Sequence, residues 1–203
     1  SPMSWTGGNL SVGAGGTGSV TVPSGKTLTL SGGSNKYLDG GRLAIAGQVD
    51  WTNGNLYLNN GARLTIQNGG VFNMQSDADI YYSTGAVPTM INKGILRKSG
   101  GTSESLIGAG STFNFVNSWP DFTSSGTVDV QIGEINFATV NSFNHGSIFT
   151  GAGSSRITTG ATLSGTITGN SGLNLAGGTF TGTAHLAGNP TWSGGTFNGA
   201  VRS

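Results

Sequence analysis

A short motif that recurs along the chain constrains its fold more than any other feature. Trp5-Thr6-Gly7-Gly8-Asn9-Leu10 returns as Trp51-Thr52-Asn53-Gly54-Asn55-Leu56 and as Trp192-Ser193-Gly194-Gly195-Thr196-Phe197. The spacings of these three copies lie close to two and six multiples of about 23 residues, a period in the range of stacked repeat architectures. A weaker copy, Leu175-Ala176-Gly177-Gly178-Thr179-Phe180, stands closer to the last one, so shorter repeats are expected toward the C-terminus.

Between the copies, apolar residues alternate with polar ones at Val20/Val22, Leu28/Leu30, Leu43/Ile45, Val49/Trp51, Leu56/Leu58, Leu64/Ile66 and Phe72/Met74. A period of two marks strands with one face buried. From Val49 the strand starts fall at Leu56, Leu64 and Phe72, so three short strands make one repeat. Asn53-Gly54, Asn60-Gly61 and Asn68-Gly69 stand between strands, and such pairs reach positive φ at little cost and bend the chain sharply. An antiparallel sandwich would also place turns at this density, but it does not require identical motifs at multiples of one period. A coil requires both, because equivalent residues of successive turns stack at about 4.8 Å and each strand bonds the rung above and below.

The expected fold is all-β: a single-stranded, right-handed parallel β-helix, or β-solenoid, of about eight or nine rungs of roughly 23 residues. A lone rung buries too few side chains to offset the entropy of ordering it, so stability must come from stacking. We read residues 1–203 as one solenoid segment, with regular rungs over 1–98 and Thr- and Gly-rich rungs over 127–203 that should be thinner and softer. Residues 99–126, where the apolar spacing breaks and Trp119-Pro120 stands, are expected to form a projecting loop or a distorted rung.

Composition narrows the partners. Charged residues make up 8% of the chain, too few for the wet faces of long amphipathic helices. Nine basic and eight acidic residues leave a formal charge of +1 without a basic cluster, so neither nucleic acid nor an anionic membrane surface is an expected partner. There is no cysteine, which excludes disulfides and thiolate chemistry. No apolar run approaches the roughly 18–20 residues of a membrane span, so no membrane insertion by this segment is expected; an export signal or anchor would lie elsewhere in a parent chain. The exposed strands at both ends of a rod call for a cap, a partner or further repeats, and end-to-end continuation of the parent chain is expected.

Chemical motifs are sparse. Gly13-Ala14-Gly15-Gly16-Thr17-Gly18 has dinucleotide-loop spacing but is followed by a strand instead of a helix, and no cofactor is expected. Gly25-Lys26-Thr27 lacks the upstream glycine of a phosphate loop, where Val20 stands. There is no Gly-x-Ser-x-Gly elbow, and His145 and His185 lie in different turns, with a structural or exposed role as the default. Asp77 and Asp79, two apart on a strand, would share a face and could bind calcium or act as paired carboxylates of a carbohydrate-active enzyme. Lys93, Arg97 and Lys98 are the basic residues nearest to them. With so few acids and bases in the chain, the expectation is that it is not an enzyme.

Sugar rings stack on flat aromatic faces, which makes Tyr57, Tyr81, Tyr82 and Trp119 candidate ligand contacts. Trp5, Trp51 and Trp192 belong to the repeat and are read as core or cap residues. Thr27/Thr29, Thr166/Thr168 and Thr181/Thr183 raise a further alternative, ice or crystal binding, but they do not recur once per rung and stacked threonine ladders explain them more simply.

The stretch Gly126-Thr127-Val128-Asp129-Val130-Gln131-Ile132-Gly133-Glu134-Ile135-Asn136-Phe137, and the glycine-spaced alternation over most of the chain, resemble β-helical regions of large secreted bacterial exoproteins such as filamentous haemagglutinin-type adhesins and autotransporter passengers. The resemblance implies a secreted or cell-surface location and a stalk or adhesion role, with glycans or another surface protein as partner. It carries over no functional residue, and the Asn-Pro-Asn-Gly signature of two-partner secretion domains is absent. A carbohydrate-binding or carbohydrate-active β-helix is the alternative on the same fold.

Overall fold

The computed structural model describes residues 3–11, 18–109 and 121–203; among these every regular element is a β-strand. One coil shows how the alternation becomes shape. Gln48–Trp51, Leu56–Asn59 and Arg63–Ile66 are three successive strands, and the chain then turns through 67–70 to start the next coil with Val71–Gln75. That strand lies parallel to Gln48–Trp51, with Phe72 opposite Val49 and Met74 opposite Trp51. Repetition gives a β-solenoid of about nine turns, about 21 residues apart.

The rod has three faces. The first runs from Met3–Trp5 to Ile148–Thr150, and the third from Ser19–Val22 to Val140–Phe143. The second is a separate nine-stranded parallel sheet from Gly8–Ser11 to Thr191–Trp192. First and third faces merge near the C-terminus, where Gly160–Gly169 extends the third face through Phe143–Leu163 and the first through Phe149–Gly169. It bends at Gly165, where φ is +69°, instead of breaking into two strands. Losing a corner in this way shortens the late coils, and Leu175 stands opposite Trp192 just as the shorter spacing of the motif there requires. Short coils also occur where all three corners are kept, as from Thr27 to Gln48 and from Lys36 to Leu56, so the mean repeat is tighter than the roughly 23 residues read from the earlier copies.

The motif itself turns out to be a local corner instead of a fixed rung position. Trp51 ends a first-face strand, whereas Trp192 ends a second-face strand. Both indoles donate Nε1–H to a carbonyl of their own turn, Trp51 to Gly54 and Trp192 to Gly194, each at 2.7 Å. Trp51 is fully buried and Trp192 is 61% exposed, so only the former is a core residue.

Inside the coil, like residues stack. Leu43 lies over Leu64, and Ile45 over Ile66. In the C-terminal half the core becomes aromatic: Phe137 lies 4.9 Å from Phe122 and 5.7 Å from Phe143, and Phe143 lies 5.1 Å from Phe149. Each such side chain, buried, contributes about 1.5–3 kcal/mol. At the corner between third and first faces the backbones of successive coils touch, and glycine stands there four times running, at Gly47, Gly70, Gly94 and Gly126. A Cβ at Gly94 would run into the carbonyl oxygens of Gly70 and Gln67, and one at Gly126 into that of Gly94.

Corners also leave carbonyls facing inward, and the chain meets them with interior donors. Lys36 is wholly buried and its Nζ donates to Gly32 O, Ser34 O and Asn53 O at 2.8–2.9 Å. Lys98, equally buried, donates to Ser76 O, Asp77 Oδ1 and Ser105 Oγ at 2.8–3.0 Å. Asn92 and Asn141 do the same at other corners, with Nδ2 bonded to Thr127 O and Thr139 O respectively, both at 2.9 Å. Inward donors tolerate burial when so satisfied, whereas the Oδ1 atoms of Asn92 and Asn141 are buried without a hydrogen-bond partner among the described residues.

Candidate functional site on the second face

Strand alternation turns Leu38, Leu56, Leu58 and Ile80 into the core and their neighbours outward. The outward neighbours at one height are Tyr37, Tyr57 and Tyr81, which the register stacks in three successive coils. The rings of Tyr37 and Tyr57 are 4.9 Å apart and nearly parallel, and those of Tyr57 and Tyr81 are 5.5 Å apart and tilted by 52°. The column continues on one side to Asn9 and on the other to Gly108, so the aromatic strip is three coils tall. Tyr37 joins the two ladder tyrosines named from the sequence; period two at Lys36-Tyr37-Leu38-Asp39 was the available signal for its outward aim.

The strip runs beside an edge that swells. Connections from second to third face lengthen from residues 40–41 to 60–62 and then 83–88, whereas between Glu134–Ala138 and Val140–Phe143 residue 139 alone makes the connection. The 83–88 connection is tied down on the corner below it. Asn60, at φ +53°, donates its N–H to Thr84 O at 3.0 Å, Gly61 N–H donates to Ala86 O at 2.7 Å, and Asn59 Oδ1 accepts from both N–H and hydroxyl of Ser83 at 3.1 Å. Tyr82, the last residue of its strand, points its hydroxyl into this connection and donates to Gly85 O. It is therefore set apart from the ladder. Trp119 lies outside the described residues, as do residues 12–17 of the glycine-rich stretch.

Asp77 and Asp79 both lie on the outward side of the alternation but serve different partners. Asp77 precedes the strand and its Oδ1 accepts from Lys98 Nζ at 2.8 Å and Ser103 N at 3.1 Å, which makes it the counter-ion of an interior lysine. Asp79 faces the ladder: its Oδ2 accepts from the Tyr81 hydroxyl at 2.6 Å and its Oδ1 from Leu106 N at 2.7 Å. Among the described residues no group of three or more His, Asp or Glu is arranged to hold a metal ion. The basic residues are likewise dispersed, with Arg97 paired to Asp129 at 2.8 Å on the first face and Lys98 inside. His145 accepts from Thr166 N at 3.1 Å, and His185 is an exposed residue of Thr179–Gly188. Thr27/Thr29 lie over Gln48/Asp50 and Thr166/Thr168 over His185/Ala187, so the threonine pairs build no continuous array.

The second face also carries a cross-coil carboxylate pair that sequence reading missed because the two residues are distant in sequence. Glu104 and Glu134 stand opposite each other in adjacent coils. Glu104 accepts from Asn136 Nδ2 at 2.9 Å, and Arg156 lies 4.0 Å from Glu134. Burial raises the Glu134 carboxyl above the ordinary range, and Glu104 adds to the rise while Ser154 and Arg156 oppose it. Burial likewise raises the Tyr81 phenol, reinforced by its hydrogen bond to Asp79 and by that carboxylate's charge; Tyr57 is raised too, first by burial and then by Tyr37 and Asp79. With Asp39, Asp79, Glu104 and Glu134, the face and its edge hold four of the eight acidic residues of the chain against Arg156. A surface of this kind offers stacking edges and hydrogen-bond acceptors and repels polyanions.

Fold and face together define a parallel β-solenoid protein with three strands to the coil. Comparison with family models, with curated proteins and with solved structures finds no match, so the class rests on the coil itself. No helix among the described residues is long and apolar enough to cross a membrane.

Proposed function

We propose that the chain is a rigid stalk or adhesion module of a secreted or cell-surface bacterial protein, and that its second face is the surface that meets glycans. The observation that carries this reading is the Tyr37–Tyr57–Tyr81 strip, held at one-coil spacing beside Asp79 and next to the edge where connections lengthen. A solenoid suits the role physically: each coil is bonded along its length to the next, so the rod resists bending without disulfides or metal. Lengthened connections on a rigid scaffold are where binding residues concentrate.

The last strands of the stack flank an apolar hollow. Thr191–Trp192 pairs with Leu173–Leu175 and Thr196–Arg202 with Thr179–Gly188, and beyond them Leu175, Leu186, Pro190, Trp192, Phe197 and Val201 line an apolar hollow of about 290 Å³.

A glycan array probed with the protein, with Tyr81→Ala and with Trp119→Ala tests the reading. Binding that falls about two- to tenfold in Tyr81→Ala, in a sample with unchanged β-sheet content, is the expected result, since a lost stacking contact is worth about 0.5–1.5 kcal/mol. Binding lost only in Trp119→Ala would move the site off the second face. No binding by any well-folded sample would leave a spacer.

A further inference from the structure

The chain contains four Asn-Gly pairs, three of them at corners of the coil, and such pairs can rearrange without an enzyme: Asn53-Gly54, Asn60-Gly61, Asn68-Gly69 and Asn198-Gly199. The backbone nitrogen of the glycine, having given its proton to solvent base, attacks Cγ of the preceding carboxamide. A C–N bond forms, ammonia leaves with a proton from water, and a succinimide ring results. Water then adds to one of the two ring carbonyls, opening the ring to aspartate or to isoaspartate. The overall step consumes water, releases ammonia and needs no oxidant. It does need a free glycine N–H, a carboxamide free to rotate, and room for the ring.

We infer that Asn68 is the site of this modification in the native solenoid and that the fold protects the other three. Asn68 and Gly69 are both exposed; Gly69 has φ +79° and nothing within 4 Å of where a Cβ would stand. Neither the Asn68 side chain nor the Gly69 N–H has a hydrogen-bond partner among the described residues. The turn around them is nonetheless held at its ends, by Gln67 N to Ile45 O and Gly70 N to Gln67 O, both 2.8 Å. The two reacting groups are thus unbound within a turn anchored at both ends.

The other pairs are engaged. At Asn53 the side-chain Oδ1 already accepts from Gly54 N at 2.8 Å, the Asn53 carbonyl is held by Lys36 Nζ at 2.8 Å, and Gly54 is buried. At Asn60 the carboxamide donates to Asp39, and the Gly61 nitrogen spends its proton on Ala86 O at 2.7 Å. Asn198-Gly199 lies within the extended strand Thr196–Arg202, paired with Thr181 and Gly182, which holds the nitrogen away from Cγ. A new negative charge, or an isoaspartyl linkage with one more backbone atom, would therefore arise at the third-to-first corner, away from the tyrosine strip.

The test is peptide mapping by mass spectrometry of protein held in mildly alkaline buffer at physiological temperature, native and in parallel in urea. Each event adds about one dalton, and isoaspartate is separable from aspartate by fragmentation. In the native protein the Asn68 peptide should convert at least about fivefold faster than those of Asn53 and Asn60, the factor that one retained hydrogen bond per protected site supplies. In urea that preference should shrink to within about twofold, because the protecting bonds are gone. Asn68→Gln should abolish conversion in that peptide alone. Native conversion of Asn53 or Asn60 as fast as Asn68 would overturn the inference, as would an Asn68 preference that persists undiminished in urea, since flanking sequence and not the fold would then set it.

Discussion

Replacing Lys36 by methionine isolates what an interior ammonium is worth to a coil. The variant keeps an unbranched apolar stem but loses the donors that serve Gly32 O, Ser34 O and Asn53 O. An acceptor stranded by loss of its partner costs about 1–3 kcal/mol; since Ser34 and Asn53 sit at the exposed corner, water reaches these carbonyls after small shifts, and the low end applies, about 3 kcal/mol for the three. Against this stands the desolvation that the ammonium no longer suffers, visible in a Lys36 pKa lowered by burial. The net expectation is destabilisation of about 2 kcal/mol at neutral pH, read as a lower midpoint in urea with an unchanged slope. The pH dependence gives a second reading. With the folded pKa below the unfolded value of 10.5, the unfolded chain binds more protons in the window between them. Wild-type stability should therefore gain on the variant as pH rises through that window. A Lys36→Met protein as stable as the wild type at neutral pH would refute the argument that carbonyl satisfaction, and not charge burial, decides this position.

At the glycine column, Gly94→Ala forces a methyl into the neighbouring coil's carbonyls and should cost about 1–3 kcal/mol, whereas Gly33→Ala, with open space around it, should change stability by less than about 0.5 kcal/mol; thermal melts of the two compare them directly. Spectrophotometric titration should show Tyr81 and Tyr57 ionising later than an ordinary tyrosine. The folded chain then holds protons that the unfolded chain loses from about pH 10, so stability falls as pH rises past that point, and Asp79→Asn should bring Tyr81 down part of the way while burial keeps it raised. Glu134→Gln removes a carboxylate whose folded pKa is raised, a group that weakens the fold as pH climbs above 4.5; the variant should equal the wild type at low pH and be the more stable of the two at neutral pH, as followed by urea titration at the two pH values.

The coil was legible because stacking multiplies one local rule. Strand starts at Leu56, Arg63 and Val71, the last two one residue ahead of the starts read from the sequence, the Asn-Gly corners between them and the shortened C-terminal repeat all follow from alternation and turn chemistry, and these act within a few residues. Trp192 could not be placed that way: its motif encodes a corner, and which of three corners depends on the lengths of every connection before it. The same limit hid the Glu104–Glu134 pair and separated Asp77 from Asp79, since pairing across coils is set by register and not by proximity in sequence. Lys36 and Lys98 were readable in principle, as they share the inward phase of Leu38 and Leu96, but their charge argues for the surface until the carbonyls they cap are seen.

This division of labour decides how a solenoid can carry function. Inward positions are coupled through the core, so Trp51 or Phe143 cannot change without their neighbours in adjacent coils. Outward positions touch chiefly their own column, and a connection can grow from 40–41 to 83–88 while the strands on either side keep their register. A tyrosine strip beside a lengthening edge is thus a feature the rod does not need for its own stability. That independence is what makes the second face testable by Tyr81→Ala, because the core beneath it, Leu56 and Ile80, stays in place whether or not a ligand stacks above.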